Sequence, residues 1–273
     1  MRTGFAGARS QGGTLMEHNT FFRRAAALVL TLVFAAAAAL QGLAVYPMPI
    51  QTASETEAVY LFNADTGKTL LTQNADQPRY VASLTKMMTA LLLLESGKDL
   101  NGEVTVPTDL TQEFKDIQNA NGTTMGLRIG ETVRRIDLLN ALLITSANDA
   151  ASVIAWDVGG SLNAFIQQMN ARAAELGCTS ATFTCAHGLY DYGNVASAED
   201  MAKIAAACAA NETFAQVAGS TTYTLGQTNF HSEQRTISSS NPLMDASGAY
   251  YKDSVKWVKG GFTTLAGRCA VAL

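Results

Sequence analysis

Charge is scarce in this sequence and leans acidic: Lys, Arg, Asp and Glu make up 15% of the 273 residues, for a formal net charge of −4. Four of the 19 basic residues (Arg2, Arg9, Arg23, Arg24) and one of the 23 acidic ones (Glu17) fall in residues 1–44, so the remainder carries 15 and 22, a net −7. Nucleic-acid binding needs a concentrated positive surface, and this balance excludes it. No cluster of Lys and Arg suited to anionic lipid is present either. Histidine and cysteine are few. Cys178, Cys185, Cys208 and Cys269 lack zinc-ligand spacing, and His18, His187 and His231 do not gather around them. No uninterrupted apolar run reaches the ~20 residues that span a bilayer. Internal repeats are absent, and so is low complexity beyond an Ala-rich leader.

What is abundant is apolar: 48% of the residues are hydrophobic, enough for a sizeable core and too many for wholesale disorder. The length suits one large domain, or one domain with a smaller lobe. Arg23-Arg24 precede an uncharged run from Ala25 to Leu40, and Gly42 and Ala44 come next with signal-peptidase spacing. A basic start, an apolar middle and a small-residue exit describe a secretory signal peptide. A retained membrane anchor stays open, because the run stretches to Ile50 if polar breaks are allowed. Met16 is a more ordinary start, with residues 1–15 a structureless leader. The expected organisation is therefore leader and signal peptide over 1–44, linker over 45–57 and one catalytic domain over 58–273. Export permits disulfides, and Cys178 with Cys185 closes the shortest loop; buried thiols are the other reading.

Two β-prone runs, 58–62 and 69–72, flank Asp65-Thr66-Gly67 and predict a hairpin. From Leu84 to Leu94 almost every residue is apolar, which predicts a fully buried helix ended by Gly97. Residues 99–128 read as loop and short elements. Thr132 is placed to cap a second helix through Ile136, Leu139, Leu142 and Leu143. Asn148 to Trp156 predicts a third helix, stopped at Gly159-Gly160. Leu162 to Leu176 predicts a fourth, and Ser197 to Cys208 another with a capping-box start. Strand character returns at 221–225, 254–258 and 269–273. Strands, a long helical middle, then strands describe an α/β fold with a helical region inserted between the parts of one sheet.

Ser83-Leu84-Thr85-Lys86 is where chemistry is expected. If Ser83 opens the buried helix, Lys86 lies one turn on, on the same face. A serine hydroxyl needs a neighbouring base to be a nucleophile. A lysine serves only when neutral, and an apolar helix start lowers its pKa. Ser-x-x-Lys by itself is a weak pattern that a capped helix with a solvated lysine also produces; the apolar context argues against that lysine being solvated. Ser146 and Asn148 supply a hydroxyl and an amide at the junction of two apolar helices, where helix capping is the plainer role. Lys259-Gly260-Gly261 comes after a Val/Trp strand: a lysine that can hold a carboxylate, then glycines that let a backbone approach a ligand. An exposed turn lysine is its alternative.

With these residues in view, the chain resembles the low-molecular-weight D-alanyl-D-alanine carboxypeptidase family of penicillin-binding enzymes. The similarity extends through 82–90 and 142–151, through His187-Gly188-Leu189 and 197–204, and through 259–267, covering about residues 55–273. Ser83 to Ser146 spans 63 residues and Ser146 to Lys259 spans 113, which suits that family. The resemblance implies a β-lactamase/transpeptidase-like fold with an antiparallel sheet and a helical insertion. It implies removal of the terminal D-alanine from peptidoglycan stem peptides through a Ser83 acyl-enzyme, in an exported, cell-envelope protein. Lys86 would be the base, Ser146 the proton relay and Asn148 the orienting group. Lys259 would meet the substrate carboxylate, with Gly260, Gly261, Phe262 and Thr263 lining the same strand and the Ser83 and Phe262 N–H groups forming an oxyanion hole. No cofactor is implied, and β-lactams should acylate Ser83. Association with a membrane would come from the signal segment or from sequence beyond Leu273.

Two departures from the family pattern stand out. Gly260 replaces the threonine of its Lys-Thr-Gly motif, removing a hydroxyl. The chain also stops at Leu273, within an expected strand, so the resemblance implies that the domain's closing elements are missing. A class A-like β-lactamase would share the fold, but it carries Ser-Asp-Asn rather than Ser-Ala-Asn and a Glu-x-x-x-Asn that residues 149–258 lack. A non-catalytic peptidoglycan-binding homologue would have no need of a buried lysine beside a serine.

Overall fold

In the computed structural model, residues 54–189 and 193–273 are described. The expected leader and signal peptide, and all but the end of the linker, lie outside them. Strands β1 (Val59–Phe62) and β2 (Thr69–Gln73) form the expected hairpin, paired Tyr60 to Thr72. Strand β3 (Arg79–Tyr80) leads into a 3-10 turn, Ala82–Thr85, and then helix α1, Lys86–Glu95. Met87, Met88, Ala90, Leu91 and Leu93 of α1 are all buried, Leu92 and Leu94 are half-buried, and Glu95 at its end is exposed. At roughly 1.5–3 kcal/mol for each large apolar side chain, this helix is the centre of the core.

Between α1 and its neighbours come β4 (Glu103–Thr105), α2 (Thr111–Asn119) and β5 (Thr132–Arg134). Thr132, expected as a helix cap, instead lies in β5 and pairs with Thr105. The strand pairing claims its backbone, and α3 (Arg135–Asn140) begins three residues later. Helix α3 runs into a π-helical segment, Ala141–Thr145, and then into α4 (Asn148–Gly159) and α5 (Leu162–Glu175). Strand β6 (Val195–Ala196) pairs with β3. Helices α6 (Ala198–Ala209) and α7 (Glu212–Ala218) close the helical region. Helix α1 packs against α4, α5, α6, α7 and the π-segment.

The chain returns to strands with the pair β7 (Thr222–Leu225) and β8 (Arg235–Ser238), then the pair β9 (Val258–Thr263) and β10 (Gly267–Ala272). The expected strand at 254–258 starts only at its last residue, because Lys252 to Val255 are taken into turns. Every pairing among the described residues is antiparallel, and the strands join two by two rather than as one continuous sheet. A groove of about 690 Å³ runs between β1, α6 and β10, with Tyr60, Met201, Ala205, Trp257 and Val271 among its walls; Ser83 and Lys86 are not. Trp257, just before β9, is buried and meets Phe214 of α7 edge-on at 5.5 Å, which anchors the strand that carries Lys259. None of the four cysteines forms a disulfide.

Asp200 shows how helix α6 is held. Ser197 caps α6 by accepting from the Asp200 N–H. The buried Asp200 carboxylate accepts from the N–H groups of Thr179 and Ser180 and from the Ser180 hydroxyl at 2.7 Å. Burial opposes ionisation, but these bonds hold its pKa below the ordinary carboxylate value. Its contribution is therefore complete above the unfolded carboxylate pKa of about 3.9 and is lost as pH falls through the lower folded value. Asp200→Asn should cost about 1–3 kcal/mol at pH 7. In urea melts, the gap from the parent should narrow below about pH 4.

Candidate active site

Four elements bring their side chains to one place. The 3-10 turn puts Ser83 at the mouth of α1, partly exposed, while Lys86 is fully buried one turn on. Lys86 Nζ donates to Ser83 Oγ at 3.1 Å, to Asn148 Oδ1 at 2.8 Å and to the His187 carbonyl at 2.7 Å. As an ammonium, Nζ meets all three with its three N–H donors; as a neutral amine it keeps two donors and turns its lone pair to the Ser83 hydroxyl, so Nζ is held from three directions in either state. Burial lowers the Lys86 pKa well below the ordinary lysine value, and the positive charge of Lys259 lowers it further. The spacing that predicts a serine and a lysine on one helical face is thus realised, with the lysine desolvated.

The π-segment delivers Ser146. A π-turn inserts one extra residue into a helix and re-aims the chain beyond it, and such turns cluster at functional sites. Ser146 ends the segment in the left-handed region, at φ 61°, and α4 restarts two residues later with Asn148 in its first turn. The Asn148 side chain is oriented from the far side, its Nδ2 donating to the Thr123 carbonyl. Lys259 Nζ donates to Ser146 Oγ at 3.0 Å and to the Gly260 carbonyl at 2.7 Å. Burial lowers its pKa to about 7.

Strand alternation puts Lys259, Gly261 and Thr263 on one face of β9 and Gly260 and Phe262 on the other. A Cβ on Gly261 would come within 2.8 Å of the Ser83 backbone nitrogen, so the strand runs closer to Ser83 than a side chain allows. The Phe262 side chain points to solvent. Its ring is 64% exposed and lies 5.7 Å from the Arg268 guanidinium. The Thr263 hydroxyl accepts from the Ala266 N–H in the β9–β10 turn. Gly260 has open space: an added Cβ would meet only the Cys269 carbonyl, at 3.9 Å.

Backbone strain marks the same place. Among the described residues, the non-glycine ones with positive φ, besides two asparagines, are Ala82, at 47°, and Ser146. The Ala82 carbonyl accepts from the Thr85 hydroxyl, which in turn accepts from Asn194. Gly188 packs directly on that carbonyl, where a methyl group would overlap its oxygen. The sequence marks His187-Gly188-Leu189 only by resemblance and points to no contact for it. Nothing local signals that the His187 carbonyl holds a lysine 101 positions away.

A partly exposed serine at a helix mouth, a desolvated lysine on its hydroxyl and Gly261 close against its backbone nitrogen are thus brought to one place. The chain belongs to the D-alanyl-D-alanine carboxypeptidase family, whose model matches residues 47–273. The D-alanyl-D-alanine carboxypeptidase of Streptomyces sp. strain K15 is 33% identical over 212 residues, which cover 74% of this chain and 71% of that protein. A D-alanyl-D-alanine endopeptidase of Escherichia coli K12 is 28% identical over 226 residues, covering 81% and 68%. The carboxypeptidase DacF of Bacillus subtilis strain 168 is 32% identical over 155 residues, but this chain spans only 39% of its length. Among solved structures, the Streptomyces K15 DD-transpeptidase superposes with a TM-score of 0.71 at 29% identity, covering 79% of this chain and 84% of that one. A D-alanyl-D-alanine carboxypeptidase of Mycobacterium tuberculosis H37Rv gives 0.68 at 26% identity, covering 82% and 81%.

Two glycines separate fold from site. Gly188→Ala should destabilise by more than about 3 kcal/mol, or prevent folding, because both its φ and the Ala82 carbonyl forbid a side chain. Gly260→Thr, on an ordinary strand with open space, should leave the melting temperature within about 3 °C of the parent. Thermal melts monitored by circular dichroism check both.

Proposed function

We propose that this chain is a serine D-Ala-D-Ala carboxypeptidase of the cell envelope, removing the terminal D-alanine from peptidoglycan stem peptides. The observation that carries this reading is the 3.1 Å contact between Ser83 Oγ and a buried Lys86 whose pKa is lowered. Neutral Lys86 takes the Ser83 proton as Oγ attacks the penultimate carbonyl carbon. The N–H groups of Ser83 and Phe262 receive the developing oxyanion. Lys259 meets the terminal carboxylate, and Ser146, bonded to it, relays to the departing D-alanine amine the proton that Lys86 took from Ser83, so Lys86 is neutral again and Ser146 keeps its hydroxyl. Water then attacks the ester, returning the hydroxyl to Ser83 and releasing the shortened peptide. Asn148 fixes Lys86 throughout. Penicillins, which present a strained amide and a carboxylate in similar order, acylate the same hydroxyl. With Gly260 in place of a hydroxyl-bearing residue, the carboxylate has one donor fewer, and Gly260→Thr should tighten substrate binding.

The same reading covers the rest of the chain. Residues 1–44 direct export as leader and signal peptide, 45–57 form a linker, and 58–273 act outside the cytoplasmic membrane. Any membrane association of these residues comes from the signal segment. The family members act on envelope peptidoglycan, which supports this location.

Intact mass after incubation with penicillin tests the chemistry. One stable adduct on the parent and none on Ser83→Ala is the expected result; a folded parent without adduct, leaving the penicillin intact, overturns it. Lys86→Ala should slow acylation by about 10²–10⁴-fold. Lys259→Ala removes the charge that depresses Lys86, so the Lys86 pKa rises and deprotonation requires higher pH. The acid limb of the acylation rate should therefore move to more alkaline pH, read by stopped-flow with a chromogenic β-lactam.

A further inference from the structure

Two of the three groups that hold Lys86, the His187 carbonyl and the Asn148 side chain, come from separate parts of the chain, and a third residue ties those parts together. Glu113 sits in the first turn of α2, a helix whose only buried residue is Ile117. Its side chain turns inward and is 17% exposed. Glu113 Oε1 lies 2.9 Å from His187 Nε2 and accepts from Ser152 Oγ at 3.0 Å. His187 Nδ1 accepts from the Leu189 N–H at 2.9 Å, which places the ring proton on Nε2, aimed at the carboxylate. Ser152 lies one turn beyond Asn148 in α4, its hydroxyl 3.3 Å from the Asn148 carbonyl. One carboxylate oxygen thus bridges the loop that presents the His187 carbonyl and the helix that presents Asn148 Oδ1.

We propose that Glu113 is a positioning residue for the acyl-transfer step: by bridging His187 and Ser152, it fixes the two acceptors that aim Lys86 Nζ at Ser83 Oγ. Glu113 touches neither Ser83 nor Lys86, so it acts only through the groups it holds. Although burial opposes ionisation, the bonds to His187 and Ser152 keep its carboxyl pKa below the ordinary value, so it is an acceptor for both donors at neutral pH. Loosening either anchor frees Lys86 to drift, and a displacement near 1 Å at a reacting group can cost about a hundredfold in rate.

The inference rests on Ser83 as the acylated residue and Lys86 as its base. Its test separates reach from charge. Glu113→Gln keeps the length and the acceptor oxygen but loses the charge; Glu113→Asp keeps the charge but withdraws the oxygen by one methylene. Stopped-flow acylation of the full chain by a chromogenic β-lactam resolves the limiting acylation rate from the apparent dissociation constant, with melting temperatures run in parallel. The expected result is a Gln variant within about threefold of the parent and an Asp variant slowed about tenfold to a hundredfold, with dissociation constants and melting temperatures close to the parent. Three outcomes overturn it: Asp acylating at the parent rate, Gln slowed as much as Asp, or a loss confined to the dissociation constant. An absent adduct on the parent overturns the Ser83 reading and this inference together. An adduct on the parent with either of the first two rate patterns overturns this inference alone.

Discussion

An amine sealed from water beside a hydroxyl is the constraint around which the rest of the molecule is arranged. Lysine is almost never fully buried without partners, and Lys86 is buried at the start of a helix most of whose residues are buried. Its three acceptors come from its own turn, from α4 and from the loop before β6. Each demands its own scaffolding: the π-segment and α4 for Asn148, the Gly188 contact for the loop, Trp257 and β9 for the neighbouring Lys259. The apolar packing around α1 is what keeps water from competing for that amine.

The two buried lysines divide the electrostatic labour. Desolvation lowers both, but Lys86 is also pushed down by the charge of Lys259, while Lys259 is lowered by burial alone. Whichever of them holds a proton favours the other being neutral. A carboxylate arriving at Lys259 would favour its charged form and so reinforce a neutral Lys86. In the proposed mechanism, that pair would couple substrate binding to activation of the serine.

Much of this was legible in the sequence, for reasons that differ from element to element. The uninterrupted apolar run of α1 and the hairpin turn at Asp65-Thr66-Gly67 are local signals, and they appear where expected. Ser83 and Lys86, and Ser146 and Asn148, could be read because spacing on one segment sets their geometry. Short strands could not: β8 is Arg-Thr-Ile-Ser, one apolar residue in four, and exists because it pairs with β7. The same pairing force took Thr132 into β5. Glu113, Thr123 and the His187 carbonyl act across separations of 74, 25 and 101 residues, where no periodicity reports them.

Ala82 and Ser146 hold left-handed backbone that L-residues adopt at a cost of roughly 1–3 kcal/mol each. Ala82 serves the fold by doing so, since its carbonyl accepts from Thr85 and packs against Gly188; Ser146 turns the chain from the π-segment into α4. Both positions are kept for that geometry. In a descendant freed from the demand at Ser146, that position would relax without disturbing the core around α1, whereas Ala82 is tied to Thr85 and Gly188. A record of lost activity would be written at residue 146 before it reached residue 82.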